Sequence, residues 1–201
     1  MKIISIGCNC ESRTFINQNF NSQSYPFDWI WSNIDFVINT FERDYFEFTE
    51  CEKLNAAWNP PHVHTYIFNN NCKGDTNRIC SALSVHDADN QSQTQYISNI
   101  QSINEKYTRR FKRLYDLLNQ DEEEIILIRK VLESSQGAIE KTVDTNEKIN
   151  YLSELLSKKF KAKISIFIVD NEGRINKNNI SNNIKVFNSF NGLRLFIKSA
   201  F

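Results

Sequence analysis

Hydrophobic and polar positions along the chain alternate between two periods. Residues 2–6 are mainly apolar and close on Gly7, the pattern of a buried strand. The stretch 10–19 predicts a short helix of low intrinsic propensity, weakened by Thr14 and Asn17. Ile34, Val37, Ile38 and Phe41 recur at helical spacing and predict a second helix over 33–42. The clearest helix spans 94–119, where Ile97, Ile100, Ile103, Tyr107, Phe111, Leu114 and Leu118 return every three or four residues. The period then changes. Ile125 to Ile128 is a continuous apolar run between charged neighbours, which suits a strand covered on both faces. A helix over 146–158 follows, with Ile149, Leu152, Leu155 and Leu156 on one face. Beyond it come a strand at 164–169, a turn from Asp170 to Gly173, a strand at 184–187 and a terminal helix near 190–199.

Strands of interior type separated by amphipathic helices predict an α/β fold, a mostly parallel sheet covered by helices. The segment 44–93 does not fit that rhythm. It is rich in aromatic residues from Tyr45 to Phe48, is broken by Pro60-Pro61, and offers only short candidate strands at 63–68 and 79–85. It reads as an irregular aromatic-rich insertion or cap within a single domain over 1–201. Trp29, Trp31, Phe36 and Phe41 read as core, the usual place for aromatics at this density.

Composition narrows the function classes. Lys plus Arg and Asp plus Glu number 24 each, so the formal net charge is zero, which gives no clear nucleic-acid signal. The densest basic cluster, Arg109, Arg110, Lys112 and Arg113, is balanced by the acidic run Asp121 to Glu124 and reads as a solvated helix surface. No apolar run approaches the ~18 residues of a membrane helix. Five cysteines without an export signal predict reduced thiols and a cytoplasmic or otherwise intracellular setting. Nothing in the motifs calls for a cofactor, and the expected partner is a peptide or small-molecule substrate whose identity, like the oligomeric state, stays open.

The candidate chemistry centres on Cys10. The first strand runs into Gly7-Cys8-Asn9-Cys10, and in a parallel sheet ligand sites lie beyond the carboxyl ends of the strands. A cysteine in the first turn of a helix gains from unpaired amides and the helix field, which favour the thiolate. The same amides can stabilise an oxyanion. Both cysteines also suit small core positions, and Cys8 is the nearer to the strand.

Ile4-Ser5-Ile6-Gly7-Cys8-Asn9-Cys10, followed by Tyr25-Pro26-Phe27-Asp28-Trp29, resembles the uncharacterised family of putative papain-like cysteine peptidases, the domain of unknown function numbered 1796. That family carries Ser-Leu-Gly-x-x-Cys, a Pro-Phe-Asp-Trp block, a His-Asp pair, an Arg-Arg helix and a hydrophobic strand ending in Arg. The resemblance implies that the family cysteine is Cys10, the block Pro26 to Trp29 and the His-Asp pair His86-Asp87. It likewise implies that the paired arginines are Arg109-Arg110 and the strand-end arginine Arg129. Ile6 stands where leucine is usual, a change without chemical consequence.

A thiol nucleophile needs a base and a group to orient it. His62, His64 and His86 are the three histidines, and His86, after a candidate strand, is the best base. Asp28 or Asp87 would support it, with Asn9, Trp29, Arg110 and Arg129 as substrate-binding candidates. The expected function is a cysteine-dependent hydrolase or acyl transferase acting on a peptide, amide or thioester bond. Two alternatives use other features. Arg110 and Arg129 could clamp a phosphate or nucleotide sugar in a transferase, or the scaffold could be a non-catalytic binding protein. A zinc site from Cys8, Cys10, His62 and His64 is disfavoured by the single residue between the cysteines.

Overall fold

The computed structural model describes residues 1–7, 10–20, 23–44, 50–53, 64–72, 75–84, 93–131 and 144–200. Four strands, β1 (Lys2–Ser5), β6 (Glu124–Lys130), β7 (Lys163–Val169) and β8 (Ile184–Phe187), form a parallel sheet in the order β1-β6-β7-β8. The register aligns Ile4 with Leu127, Leu127 with Ile166 and Ile166 with Ile184, so one face carries a row of β-branched and leucine side chains. Both faces are covered, which explains the continuous apolar run at 125–128. On one side Ile4, Leu127, Ile166 and Ile168 pack with α2 (Ile34–Arg43), α3 (Gln93–Leu118) and α4 (Asn146–Lys159). On the other, Ile3, Ile126, Ile128, Phe167 and Val169 pack with Phe15 and Ile16 of α1 (Cys10–Asn19) and with Leu193 and Ile197 of α5 (Phe190–Ala200). The expected α/β architecture is the one observed.

The helices begin where local chemistry starts them. Asn33 caps α2, its Oδ1 accepting the Phe36 N–H at 2.8 Å, and Thr145 caps α4 by accepting the Lys148 N–H at 3.3 Å. α2 ends at Asp44 in a left-handed conformation, φ 63°.

A second sheet is antiparallel, in the order β2-β5-β4-β3, built from β2 (Ile30–Ser32), β3 (Glu50–Lys53), β4 (His64–Cys72) and β5 (Asp75–Ser84). The region 44–93 supplies three of these strands. The hairpin β4–β5 extends further than the apolar residues suggested, pairing Asn69 with Ser81 and Asn70 with Cys80. Asn is a turn former by preference, but ladder pairing on both strands holds it extended here. α2 packs on β5, joining this sheet to the helical layer. Phe36 and Phe41 are fully buried, and Phe27 lies against both with ring centroids 6.3 and 5.6 Å away. Trp29 and Trp31 are half-buried.

Candidate active site

The carboxyl edge of the parallel sheet gathers the chemistry. Ile6 continues β1 by donating its N–H to the Ile128 carbonyl at 2.9 Å, and Gly7 then turns the chain towards α1. Gly7 has φ +82°, and a Cβ there would fall on Ser32 Oγ. Only glycine meets both demands. α1 opens at Cys10, which is half-buried and forms no disulfide. The thiol therefore sits at the first position of a helix, where backbone N–H groups have no acceptor within the helix.

Two ion pairs tie down the first turn of α1. Glu11 Oε1 lies 2.7 Å from Lys130 Nζ, at the end of β6, with the Lys130 side chain 4% exposed. Arg13 Nη1 lies 3.3 Å from Asp28 Oδ2 and donates to the Gln23 carbonyl at 3.0 Å. Asp28 Oδ2 also accepts the Tyr25 N–H at 2.7 Å, closing the Tyr25–Asp28 turn together with the Asp28 N–H to Tyr25 carbonyl bond at 3.2 Å. Trp29 follows at φ 63°, a left-handed conformation uncommon for a bulky residue, and the chain enters β2 directly afterwards.

Asp28 is fully buried, and its Oδ1 has no hydrogen-bond partner. Burial pushes its carboxyl up to about 6, against the opposing pull of the Tyr25 amide and of Arg13 and Arg110. Asp28 thus serves the Tyr25 turn and Arg13 in this structure, and among the described residues neither of its oxygens accepts from a histidine.

Arg129 lies at the expected sheet edge, but its guanidinium turns inward. Its side chain is 0% exposed, with Nε to Asp144 Oδ2 at 2.8 Å and Nη2 to Asp144 Oδ1 at 2.9 Å, a bidentate pair. Nη1 donates to the Ile6 carbonyl and Nη2 to the Ser32 carbonyl, each at 3.2 Å. One side chain therefore joins the ends of β1, β2 and β6 to Asp144, two residues before α4. Arg110 is half-buried on α3, with its guanidinium 5.2 Å from the centre of the Tyr107 ring.

His86, Asp87 and Asn9 lie outside the described residues, as do Cys8 and His62. β5 ends at Ser84, which pairs with Ile30, so that strand finishes beside the residue that follows Asp28-Trp29. Among the described residues no group of three or more His, Cys, Asp and Glu side chains could hold a metal. No described helix is long and apolar enough to cross a membrane. A cleft of about 750 Å³ opens near the amino end of β1, between the end of α1 and the last turns of α3. Ile3, Phe20, Tyr25 and Arg113 are among its walls, and no cysteine or histidine is among the described residues that line it.

Sequence reasoning missed Arg13, Glu11 and Lys130. A signal was present for Arg13, which shares a helical face with Ile16, an apolar position three residues on. Lys130 is the last residue of an unbroken buried run in β6, where a charge calls for a partner.

Parallel sheet, helices on both faces and a cysteine opening the first helix beyond the first strand together define an α/β protein with a thiol at the carboxyl edge of its sheet. Residues 1–171 match the family described as "Putative papain-like cysteine peptidase (DUF1796)", and the chain belongs to that family. No curated protein and no solved structure matches it.

Proposed function

We propose that the chain is a cysteine-dependent hydrolase or acyl transferase whose nucleophile is Cys10. The observation that carries this reading is the position of Cys10 as the first residue of α1, at the carboxyl edge of the parallel sheet. The family description points the same way. Cys10 Sγ attacks a carbonyl carbon, the helix-start amides receive the developing oxyanion, and the C–S bond of a thioester forms as the leaving group departs. His86 takes the thiol proton and returns it to the leaving group. Water, or an acceptor nucleophile in a transferase, then attacks the thioester with His86 again as base, releasing the acyl product and restoring the thiol.

Asp87 is the carboxylate assigned to orient His86, because Asp28 is occupied with Arg13 and the Tyr25 turn. Asn9, Trp29 and Arg110 are assigned to substrate binding, whereas Arg129, paired inward with Asp144, is assigned a structural role. The inward guanidinium of Arg129 also removes the main support for a phosphate-clamping transferase. A thiol nucleophile works in a reducing compartment, with the cytoplasm as the default, and residues 1–201 act as one domain.

Incubation with a small activated thioester tests the reading by intact-mass spectrometry. An acyl adduct on the Cys10 peptide is expected, absent from Cys10→Ala and formed about a hundredfold more slowly by His86→Ala. Acylation spread evenly over several cysteines and lysines, unaffected by either change, would contradict it.

A further inference from the structure

α1 is a short helix without strong intrinsic propensity, yet residues 11 and 13, flanking its first turn, are held from two directions. Glu11 ties it to the end of β6 through Lys130, and Arg13 ties it to the Tyr25–Asp28 turn. In each pair one cation is almost wholly buried, with side-chain exposures of 4% for Lys130 and 6% for Arg13. Buried ion pairs are poor sources of net stability, since desolvation offsets much of their attraction. What they supply is a fixed geometry. Cys10 and Arg13 are three residues apart on the helix and so lie on neighbouring rows of one face. Any rotation of α1 that carried the thiol away would also break the Arg13 contacts with Asp28 Oδ2 and the Gln23 carbonyl.

We propose that Arg13 is a positioning residue for Cys10, fixing through Asp28 the rotation of α1 that aims the thiol and the helix-start amides at one substrate carbonyl. This role rests on the reading of Cys10 as the nucleophile. Asp28 ties the device to pH. Among the described residues, the groups facing it are Arg13 from α1, Arg110 from α3 and the Tyr25 amide from its own turn, and Arg113 of α3 acts on Tyr25. With its carboxyl raised to about 6, Asp28 is ionised and paired above that pH and neutral below it. The tie therefore weakens as pH falls through about 6, with one carboxylate oxygen already unpartnered and burial favouring the neutral form.

The test is the rate of Cys10 alkylation by iodoacetamide from about pH 5 to about pH 9, in wild type, Arg13→Met, Arg13→Lys and Asp28→Asn. Circular dichroism and a urea midpoint establish that each variant is folded. Arg13→Met is expected to lose about tenfold in rate at neutral pH, as the thiol leaves the fixed surroundings that favour its thiolate. Arg13→Lys is expected to recover most of it. In Asp28→Asn the wild-type inflection near pH 6 should disappear. Should Arg13→Met fail to fold, Arg13→Lys and Asp28→Asn carry the test through the profile alone. A reactive wild type whose folded variants keep its rate and profile would overturn the positioning role and leave the nucleophile standing. A wild-type Cys10 no more reactive than a free thiol would overturn the nucleophile reading itself.

Discussion

Asp144→Ala is expected to cost about 3–5 kcal/mol of folding stability, because it removes the carboxylate that holds a buried guanidinium through two hydrogen bonds. Arg129 has 0% exposure and takes both carboxylate oxygens of Asp144, so water cannot replace the lost partner without opening the sheet edge. The remaining bonds to the Ile6 and Ser32 carbonyls supply dipoles but no charge. Native domains are stable by about 5–15 kcal/mol in total, so this one change consumes a large share. Removing both charges should be milder. Arg129→Met with Asp144→Leu replaces the pair by apolar side chains, and recovery of most of the loss is expected because no buried charge remains. Urea midpoints at constant slope measure both effects. A loss below about 1 kcal/mol for Asp144→Ala would mean that the pair is solvated in solution.

Gly7→Ala is expected to be nearly as damaging, at about 2–5 kcal/mol, from two separable causes. A left-handed backbone costs an L-residue about 1–2 kcal/mol, and Gly7 has φ +82°. Overpacking adds about 1–3 kcal/mol, since the new methyl would fall on Ser32 Oγ with Arg129 Nη1 close behind at 3.8 Å. Ser32→Gly in the Gly7→Ala background should return the steric part and leave the conformational part. Full recovery would show that backbone strain plays no role. No recovery would place the whole cost in the turn.

Much of the parallel sheet was legible because its strands are long enough to bury on both faces. Ile125 to Ile128 and Ile164 to Val169 could hardly be placed elsewhere, and α3 repeats its apolar stripe over six turns. β2 was not legible, since three residues, Ile30, Trp31 and Ser32, carry no period and owe their extension to pairing with Ala82 to Ser84. β3 is nearly as short, four residues held against β4. The site was legible in outline and not in detail. A cysteine at the start of α1 follows from strand, glycine and helix in succession. The inward direction of Arg129 does not, because it depends on Asp144, fifteen residues along the chain, and on carbonyls from two other strands. Asp28 likewise reads as a carboxylate open for catalysis until Arg13 is found beside it.

The most direct test of the account is the pH dependence of Cys10 alkylation, followed by peptide mass spectrometry in wild type and His86→Ala. A free cysteine titrates near about 8.5, so an ordinary thiol loses reactivity roughly tenfold per unit below that pH. The account predicts a Cys10 that stays reactive well below pH 8 and shifts towards ordinary behaviour when His86 is removed. A folded protein whose Cys10 follows the free-thiol curve, unchanged by His86→Ala, would contradict it and leave Cys10 as a packing residue at the start of α1.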